Sequence, residues 1–232
     1  MYPALSKRLA AIAQMVRPGR ITADIGTDHG HLIVWLAATG RIPRGFACDV
    51  NPKPLEKAVR AAREAGVAQL VDCRLSDGLA ALAGEPVEDI VIAGMGGELI
   101  ARILEESPFS SREKKGQRYL LQPMTKPDLL RQWLGEQGYG LERERCVEEG
   151  GFCYSIFQAR WTGERRPVDR LAALTGKVGS WPGDDSRLYL ERLLARLDKQ
   201  AAGMEKAGLD TASLRLLEDQ IGKKLEQLEG NP

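Results

Sequence analysis

Between Asp24 and His31 the chain crowds Gly26, Thr27, Asp28, His29 and Gly30 into one short stretch, and Asp49 follows 23 residues after Gly26. Such a set admits a nucleoside site. Glycine in a strand-to-helix turn can take φ > 0 and lets a ligand approach the backbone where a helix N-terminus presents free N–H groups. An acid at the end of the next strand, at about this spacing, meets ribose hydroxyls. A dinucleotide is a poorer fit, because the turn lacks G-x-G-x-x-G and Asp28 would repel a pyrophosphate. A metal site built on His29 and His31 is poorer still: a histidine-rich shell needs further ligands, and these are the only two histidines. We therefore expect no metal.

Local patterns supply the elements that would position these residues. Ile21 to Ile25 reads as a strand, His31 to Ala38 as an apolar helix and Gly45 to Asp49 as a second strand. Pro52 opens a helix that runs to Ala65, with Leu55, Ala58, Val59 and Ala62 on its apolar face, and Gly66 stops it. Gln69 to Leu75 reads as a third strand closed by Ser76-Asp77-Gly78. Asp89 to Ala93 reads as a fourth, closed by Gly94-Met95-Gly96-Gly97. In an open parallel sheet, ligands bind outside the carboxyl ends of the strands. Four loops should thus converge on one pocket: Gly26 to Gly30, Asp49-Val50-Asn51, Ser76 to Gly78 and Gly94 to Gly97.

The flanking segments complete an α/β architecture. Leu5, Leu9, Ile12 and Val16 mark an amphipathic first helix, and another is expected from Glu98 to Glu105. Ser107 to Gln117, with Arg112, Lys114 and Lys115, reads as a solvated basic loop. Tyr119 to Pro123 is a fifth strand, followed by a helix from Lys126 to Gln137. Leu141 to Val147 and Phe152 to Trp161 are joined by Glu148 to Gly151, too short for a parallel crossover, so they must form an antiparallel hairpin. After a linker at 164–183, Leu190, Leu193, Leu197, Ala201 and Met204, then Leu214, Leu217, Ile221, Leu225 and Leu228, trace two narrow apolar seams. The Gly208 break lets the second helix fold back on the first as an antiparallel coiled-coil hairpin of about 30 Å per arm.

Composition sets bounds on these readings. A chain of 232 residues with 43% hydrophobic content fits one sizeable domain plus an appendage. A net charge of +1 advertises no polyanion, so a nucleic-acid partner would have to be met by local basic clusters. Cys48, Cys73, Cys146 and Cys153 form no C-x-x-C pair and fall mostly in predicted strands, as buried reduced thiols would, which points to the cytoplasm. No stretch has the length for export or for spanning a membrane.

The first turn resembles motif I of class I S-adenosylmethionine methyltransferases, acid-x-Gly-x-Gly-x-Gly, with Asp24, Gly26 and Gly30 matching and Asp28 departing. S-adenosylmethionine carries no phosphate, so the acid is tolerable. A mostly parallel sheet that ends in an antiparallel hairpin is similar to the Rossmann-like, seven-stranded fold of that class. Enzymes of this kind that methylate amino groups carry an Asn/Asp-Pro-Pro-aromatic segment after the fourth strand. Here Ala93 to Gly97 offers no side-chain acceptor for amine hydrogens. The methyl acceptor should therefore own a free lone pair, as N1 of adenine does, and a carboxylate near the cationic product would help.

A closer resemblance rests on Leu5-Ser6-Lys7-Arg8-Leu9, Asp24 to Leu32, Asp49-Val50-Asn51-Pro52, Ser76-Asp77-Gly78-Leu79, Ile92 to Gly97 and Leu121-Gln122-Pro123. Together these are similar to the bacterial TrmK family of tRNA (adenine-22-N1) methyltransferases over about residues 1–161. The resemblance implies S-adenosyl-L-methionine as cofactor and tRNA as partner. It divides the chain into a methyltransferase domain at 1–163, a linker at 164–183 and the helical hairpin at 184–232. It sets Asp24, Gly26, Thr27, Asp28, His29 and Gly30 about the methionine end of the cofactor, Asp49, Val50 and Asn51 at its ribose, and Ser76, Asp77 and Gly78 at its adenine. Asp28, Gly94 and Met95 are the candidate catalytic positions, Gly94 also bordering the cofactor. His31 stands where many members are expected to hold a tyrosine, and its role is open. Two alternatives stand beside this reading: a non-catalytic RNA-binding protein that kept a degenerate cofactor fold, and a small-molecule methyltransferase, which would need no long arm.

Overall fold

Thr22-Ala23-Asp24-Ile25 is buried along its whole length, and as β1 (Thr22–Ile25) it lies inside a seven-stranded sheet of order β3-β2-β1-β4-β5-β7-β6. The computed structural model describes residue 2 and residues 4–229. On one side of β1 lie β2 (Gly45–Asp49) and β3 (Val71–Leu75); on the other lie β4 (Asp89–Gly96) and β5 (Arg118–Thr125), all parallel. The last two strands, β6 (Tyr139–Glu149) and β7 (Phe152–Trp161), are joined by Gly150-Gly151 and run antiparallel, with β7 inserted between β5 and β6. The expected sheet with its antiparallel last strand is therefore present. Strand order reverses at β1, which opens a crevice at its carboxyl end.

A parallel sheet must be covered on both faces, and the apolar residues sort accordingly. On one face α1 (Lys7–Met15), α2 (His31–Ala38) and α3 (Pro52–Glu64) bring Ile12, Leu32, Ile33, Leu36 and Ala58 against Val91, Leu120 and Ile156. On the other, α4 (Gly97–Glu105) and α6 (Pro127–Glu136) bring Ile100, Leu104, Leu130 and Leu134 against Phe46, Ile90, Ile92, Leu121 and Phe157. All four cysteines lie in strands and are free.

Three segments depart from expectation. Strand β4 does not stop at Ala93; it stays paired with β5 as far as Gly96, with register shifts on either side of Met95. Such irregularities re-aim the backbone beside a site. Within the expected loop at Ser107 to Gln117, α5 (Ser111–Gly116) forms because Ser110 and Glu113 make a reciprocal capping box. Within the expected linker, α7 (Arg170–Thr175) starts where the Asp169 carboxylate accepts the Ala172 N–H at 2.8 Å.

The terminal hairpin is built from α8 (Ser186–Lys206) and α9 (Ala212–Glu229), whose seam of Leu190, Leu193, Leu197, Ala201, Leu214, Leu217 and Ile221 forms a core of its own. Its root is bonded to the sheet. The Asp184 and Asp185 carboxylates accept the N–H groups of Cys146 and Glu148, each at 2.7 Å. Beneath the root lies a buried ion pair in which Arg131 Nε and Nη2 donate to the two Glu144 oxygens at 2.9 and 2.7 Å. Arg131 also donates to the carbonyls of Ala173 and Leu174 and to the Tyr189 hydroxyl. Glu144 accepts from the Ser155 hydroxyl and the Lys177 N–H as well. This hub ties α6, β6, β7, α7 and α8 together.

Candidate active site

The four predicted loops meet at the carboxyl ends of β1 to β4 around a cleft of about 290 Å³. Gly26 comes from the first loop, Asp49, Val50 and Asn51 from the second, Ser76, Asp77 and Gly78 from the third, and Gly94 and Met95 from the fourth. Leu99, Arg102 and Ile103 of α4 close the wall.

Each loop is held by identifiable bonds. Asp49 Oδ1 accepts the Asn51 N–H at 2.7 Å, which folds the turn and leaves the second carboxylate oxygen for a ligand. The Ser76 hydroxyl is consumed locally, donating to Gly78 O and accepting from Ala81 N, both at 3.0 Å, so Ser76 shapes the third loop. Asp77 faces Arg102 at 3.6 Å across the rim. Val50 and Leu99 are exposed apolar walls of the kind an aromatic ring fills. At Gly26, φ is +73°, and a Cβ there would lie 2.0 Å from Met95 Cε. A Cβ would push the Met95 methyl aside, and the positive φ favours glycine whatever the space.

The rest of the first turn does not line the cleft. Asp24 is buried beneath it, and its Oδ2 accepts the Thr27 hydroxyl at 2.7 Å. Burial lifts the Asp24 pKa to about 6, against the Thr27 hydrogen bond, with smaller upward pushes from Asp49 and Asp28. Gly30 begins α2 in the left-handed region and offers no side-chain cap. Asp28 stands at the rim with its side chain 86% exposed, and the contact described for its carboxylate is His29 Nε2 at 3.3 Å. His29 has φ +59°, strain of a kind that collects at functional turns, and its Nε2 lies 2.7 Å from Lys57 Nζ. His31 packs edge-on against His29, ring centroids 5.4 Å apart. Among the described residues, no group of three or more His, Cys, Asp or Glu side chains is placed to hold a metal ion.

One participant was visible in the sequence only as part of a motif. Arg8, from α1, reaches the fourth loop and donates to Gln122 Oε1, which also accepts the Gly94 N–H at 3.1 Å. Gln122 Nε2 donates to Pro123 O at 3.0 Å. Glu149 holds Arg8 through both its backbone N–H and its Nε, and the guanidinium lies over the Tyr154 ring, 5.7 Å from the centroid. Gln122 is fully engaged, so it positions the Gly94 backbone and has no group left for a substrate. The Arg8 to Gln122 contact joins residues 114 positions apart, a distance no local pattern bridges.

Residues 5–157 match the family model of a methyltransferase domain. The tRNA (adenine(22)-N(1))-methyltransferase of Bacillus subtilis is 34% identical over 174 residues, which cover 75% of this chain and 72% of the relative. The crystal structure of the Bacillus subtilis m1A22 tRNA methyltransferase TrmK superposes with a TM-score of 0.75 at 26% identity, covering 98% of each chain. A Streptococcus pneumoniae structure in complex with S-adenosyl-L-methionine superposes with a TM-score of 0.73 at 30% identity, covering 97% of this chain and 99% of its own.

Proposed function

From a chain that belongs to the tRNA (adenine(22)-N(1))-methyltransferase family, we infer an enzyme that moves a methyl group from S-adenosyl-L-methionine to N1 of adenine 22 in tRNA. The observation that carries this reading is the cleft itself: an acid with a free oxygen at the end of β2, apolar walls, and a fourth loop without a side-chain acceptor. Bound there, S-adenosyl-L-methionine supplies a methyl group on a cationic sulfur.

The chain's own residues do the rest. Asp49 accepts the ribose hydroxyls, Val50 and Leu99 flank the adenine, and Asp77 closes its edge. Asp24 and Thr27 lie under the methionine end. Gly94 and Met95 present backbone and thioether where the acceptor base must come, held by Gln122 and Arg8. Adenine N1 is unprotonated at neutral pH and attacks through its own lone pair, so no residue has to remove a proton first. What the site must do is orient the base and stabilise the positive charge that arrives on it, and Asp28 at the rim carries the charge suited to that. The hairpin at 184–232 serves as an arm for tRNA beside the methyltransferase domain at 1–163. Acting on tRNA sets the enzyme in the cytoplasm. Among the described residues, no helix is long and apolar enough to cross a membrane.

Incubation with labelled S-adenosyl-L-methionine and tRNA transcripts should yield 1-methyladenosine at position 22, and a transcript with guanine there should stay unlabelled. Asp49→Ala should weaken cofactor binding at least tenfold in calorimetry, since each hydrogen bond to a charged group contributes about 1.5–3 kcal/mol. Equal labelling of both transcripts would overturn the position, and an unchanged Asp49→Ala affinity would overturn the ribose assignment.

Asp24 gives the site a pH dependence. Its pKa is about 6 in the folded chain against 3.8 for the free side chain. The folded state therefore holds this proton more tightly, and the cost of burying the carboxylate is fully present above pH 6 and gone below about 3.8. A cofactor ammonium nearby favours the ionised form, so affinity should fall about tenfold from pH 7 to pH 5 and level off above pH 7. Calorimetry across that range should show the slope in the native chain and lose it in Asp24→Asn. A slope that survives in the variant assigns the titration elsewhere.

A further inference from the structure

A second cleft, of about 450 Å³, opens one strand away from Gly94 and Met95, and nothing in the methyl-transfer chemistry uses it. Its near wall is Met124 and Thr125 at the end of β5, which pairs with β4 through Met95 to Pro123 and Gly96 to Thr125. Its far wall is the first half of α8, with Arg192 and Arg196, and Phe152 borders it at the tip of the β6–β7 hairpin.

Four observations give this cleft a ligand. The Phe152 ring is 64% exposed, a large apolar surface left in water. It rests on Tyr154, ring centroids 6.1 Å apart, and Tyr154 in turn lies under Arg8, so the exposed ring continues a stack that begins at the Gly94 loop. Arg192 is fixed by donating to Gly151 O at 2.8 Å, and Arg196, one turn further on, has no ion-pair partner among the described residues. No acidic residue lines the cleft, whereas Arg192, Arg196 and Lys126, the last paired with Glu98 at 2.6 Å, do, in a chain whose net charge is only +1. Lys126 also has φ +54°, a strained backbone at the lip.

An exposed aromatic face beside two guanidinium groups is the equipment for an unstacked base and its phosphates. We propose that this cleft is a nucleotide subsite for the tRNA strand next to the target adenine: the flanking base stacks on Phe152, and Arg192 and Arg196 hold the phosphates on either side. The inference rests on the tRNA methyltransferase reading above and adds the place where the strand leaves the catalytic cleft. The strand runs from Gly94, across the end of β5, to the root of the arm. Met124, whose sulfur accepts from Gln122 Nε2 at 3.6 Å, lies along this path.

The test uses the full chain and a tRNA transcript that the native protein methylates. Phe152→Ala should raise the Kd for tRNA roughly tenfold, on the scale of losing one base–aromatic stack, while Phe152→Trp stays within about threefold of native. An abasic nucleotide at position 21 or 23 should cost the native protein about as much, and at one of these positions it should cost Phe152→Ala almost nothing further. Arg196→Ala should lower the slope of log K against log salt by roughly 0.7–0.9, one phosphate contact. Calorimetry with S-adenosyl-L-methionine should give native affinity for every variant. If Phe152→Ala also loses cofactor affinity, its fold is damaged, and the Arg196→Ala slope alone decides. The subsite is overturned if a folded Phe152→Ala binds tRNA as the native protein does, or if Arg196→Ala keeps the native salt slope. Native protein that methylates no tRNA overturns instead the reading beneath it.

Discussion

Replacing Arg131 by Met should destabilise the protein by about 3–5 kcal/mol, the cost of leaving one member of a buried ion pair without its partner. Glu144 would keep only the Ser155 hydroxyl and the Lys177 N–H, the Ala173 carbonyl and the Tyr189 hydroxyl would lose the Arg131 donor, and the Leu174 carbonyl would keep only the Tyr189 hydroxyl at 3.4 Å. Against a typical net stability of about 5–15 kcal/mol, such a loss is large. Exposed pairs behave differently. Lys126 with Glu98 at 2.6 Å and Arg187 with Glu191 at 2.7 Å are mostly in water, where a pair contributes about 0–1 kcal/mol. Denaturant melts of Arg131→Met, Glu144→Gln and the double variant provide the check. The double variant should lose less than the sum of the singles, because each single change strands the other partner. A loss under about 1 kcal/mol in Arg131→Met would mean that the hub relaxes or admits water.

The second large effect is expected at Asp28. Asp28→Asn keeps the shape of the side chain and removes its charge. If the carboxylate only capped α2, Asn would serve almost as well. The structure gives α2 no side-chain cap, however, and among the described residues the ion-pair contact of the Asp28 carboxylate at the rim is His29. We propose that an anion so placed acts by its field once bound substrate covers the rim. Positive charge passes from sulfur to the adenine ring during transfer, and a carboxylate close to the ring stabilises the transition state more than the ground state. The single-turnover methylation rate of Asp28→Asn should fall about 100-fold, the effect of removing one preorganised electrostatic group. Cofactor affinity should change only a few-fold, because Asp28 does not line the cleft between Asp49 and Gly94. Near-native turnover would leave Asp28 as a surface residue of the turn.

Elements whose pattern is local were legible in the sequence. β1, β2 and the core of β4 are short buried runs, and the connection at Glu148 to Gly151 was too short for anything but a hairpin. α5 was also legible in principle, since Ser110 and Glu113 stand at capping-box spacing, but the run of charges around them hid it. α7 is different in kind: Asp169 caps it locally, but the Ala173 and Leu174 carbonyls are held by Arg131, some 40 residues earlier in the chain, and that half of its support has no local pattern. The same division runs through the site. The loops that line the cleft at the ends of β1 to β4 follow from glycine and acid spacing at strand ends. The link from Arg8 through Gln122 to Gly94, and the cleft between Phe152 and Arg196, join segments brought together only by the complete sheet.

The covering of β6 has a consequence for how the arm can vary. β6 is the last strand of the sheet, and its outward N–H groups at Cys146 and Glu148 would otherwise be a template on which a strand from another molecule could add. Asp184 and Asp185 occupy those donors with carboxylates, which repel the carbonyls of any incoming strand. The same two residues lead directly into α8. The first turn of the arm is thus also the guard against self-association of the sheet, while the far end around Gly208 has no such duty. Insertions and deletions between related chains can lengthen or shorten the arm at its tip, but the root has to keep the edge of the sheet covered.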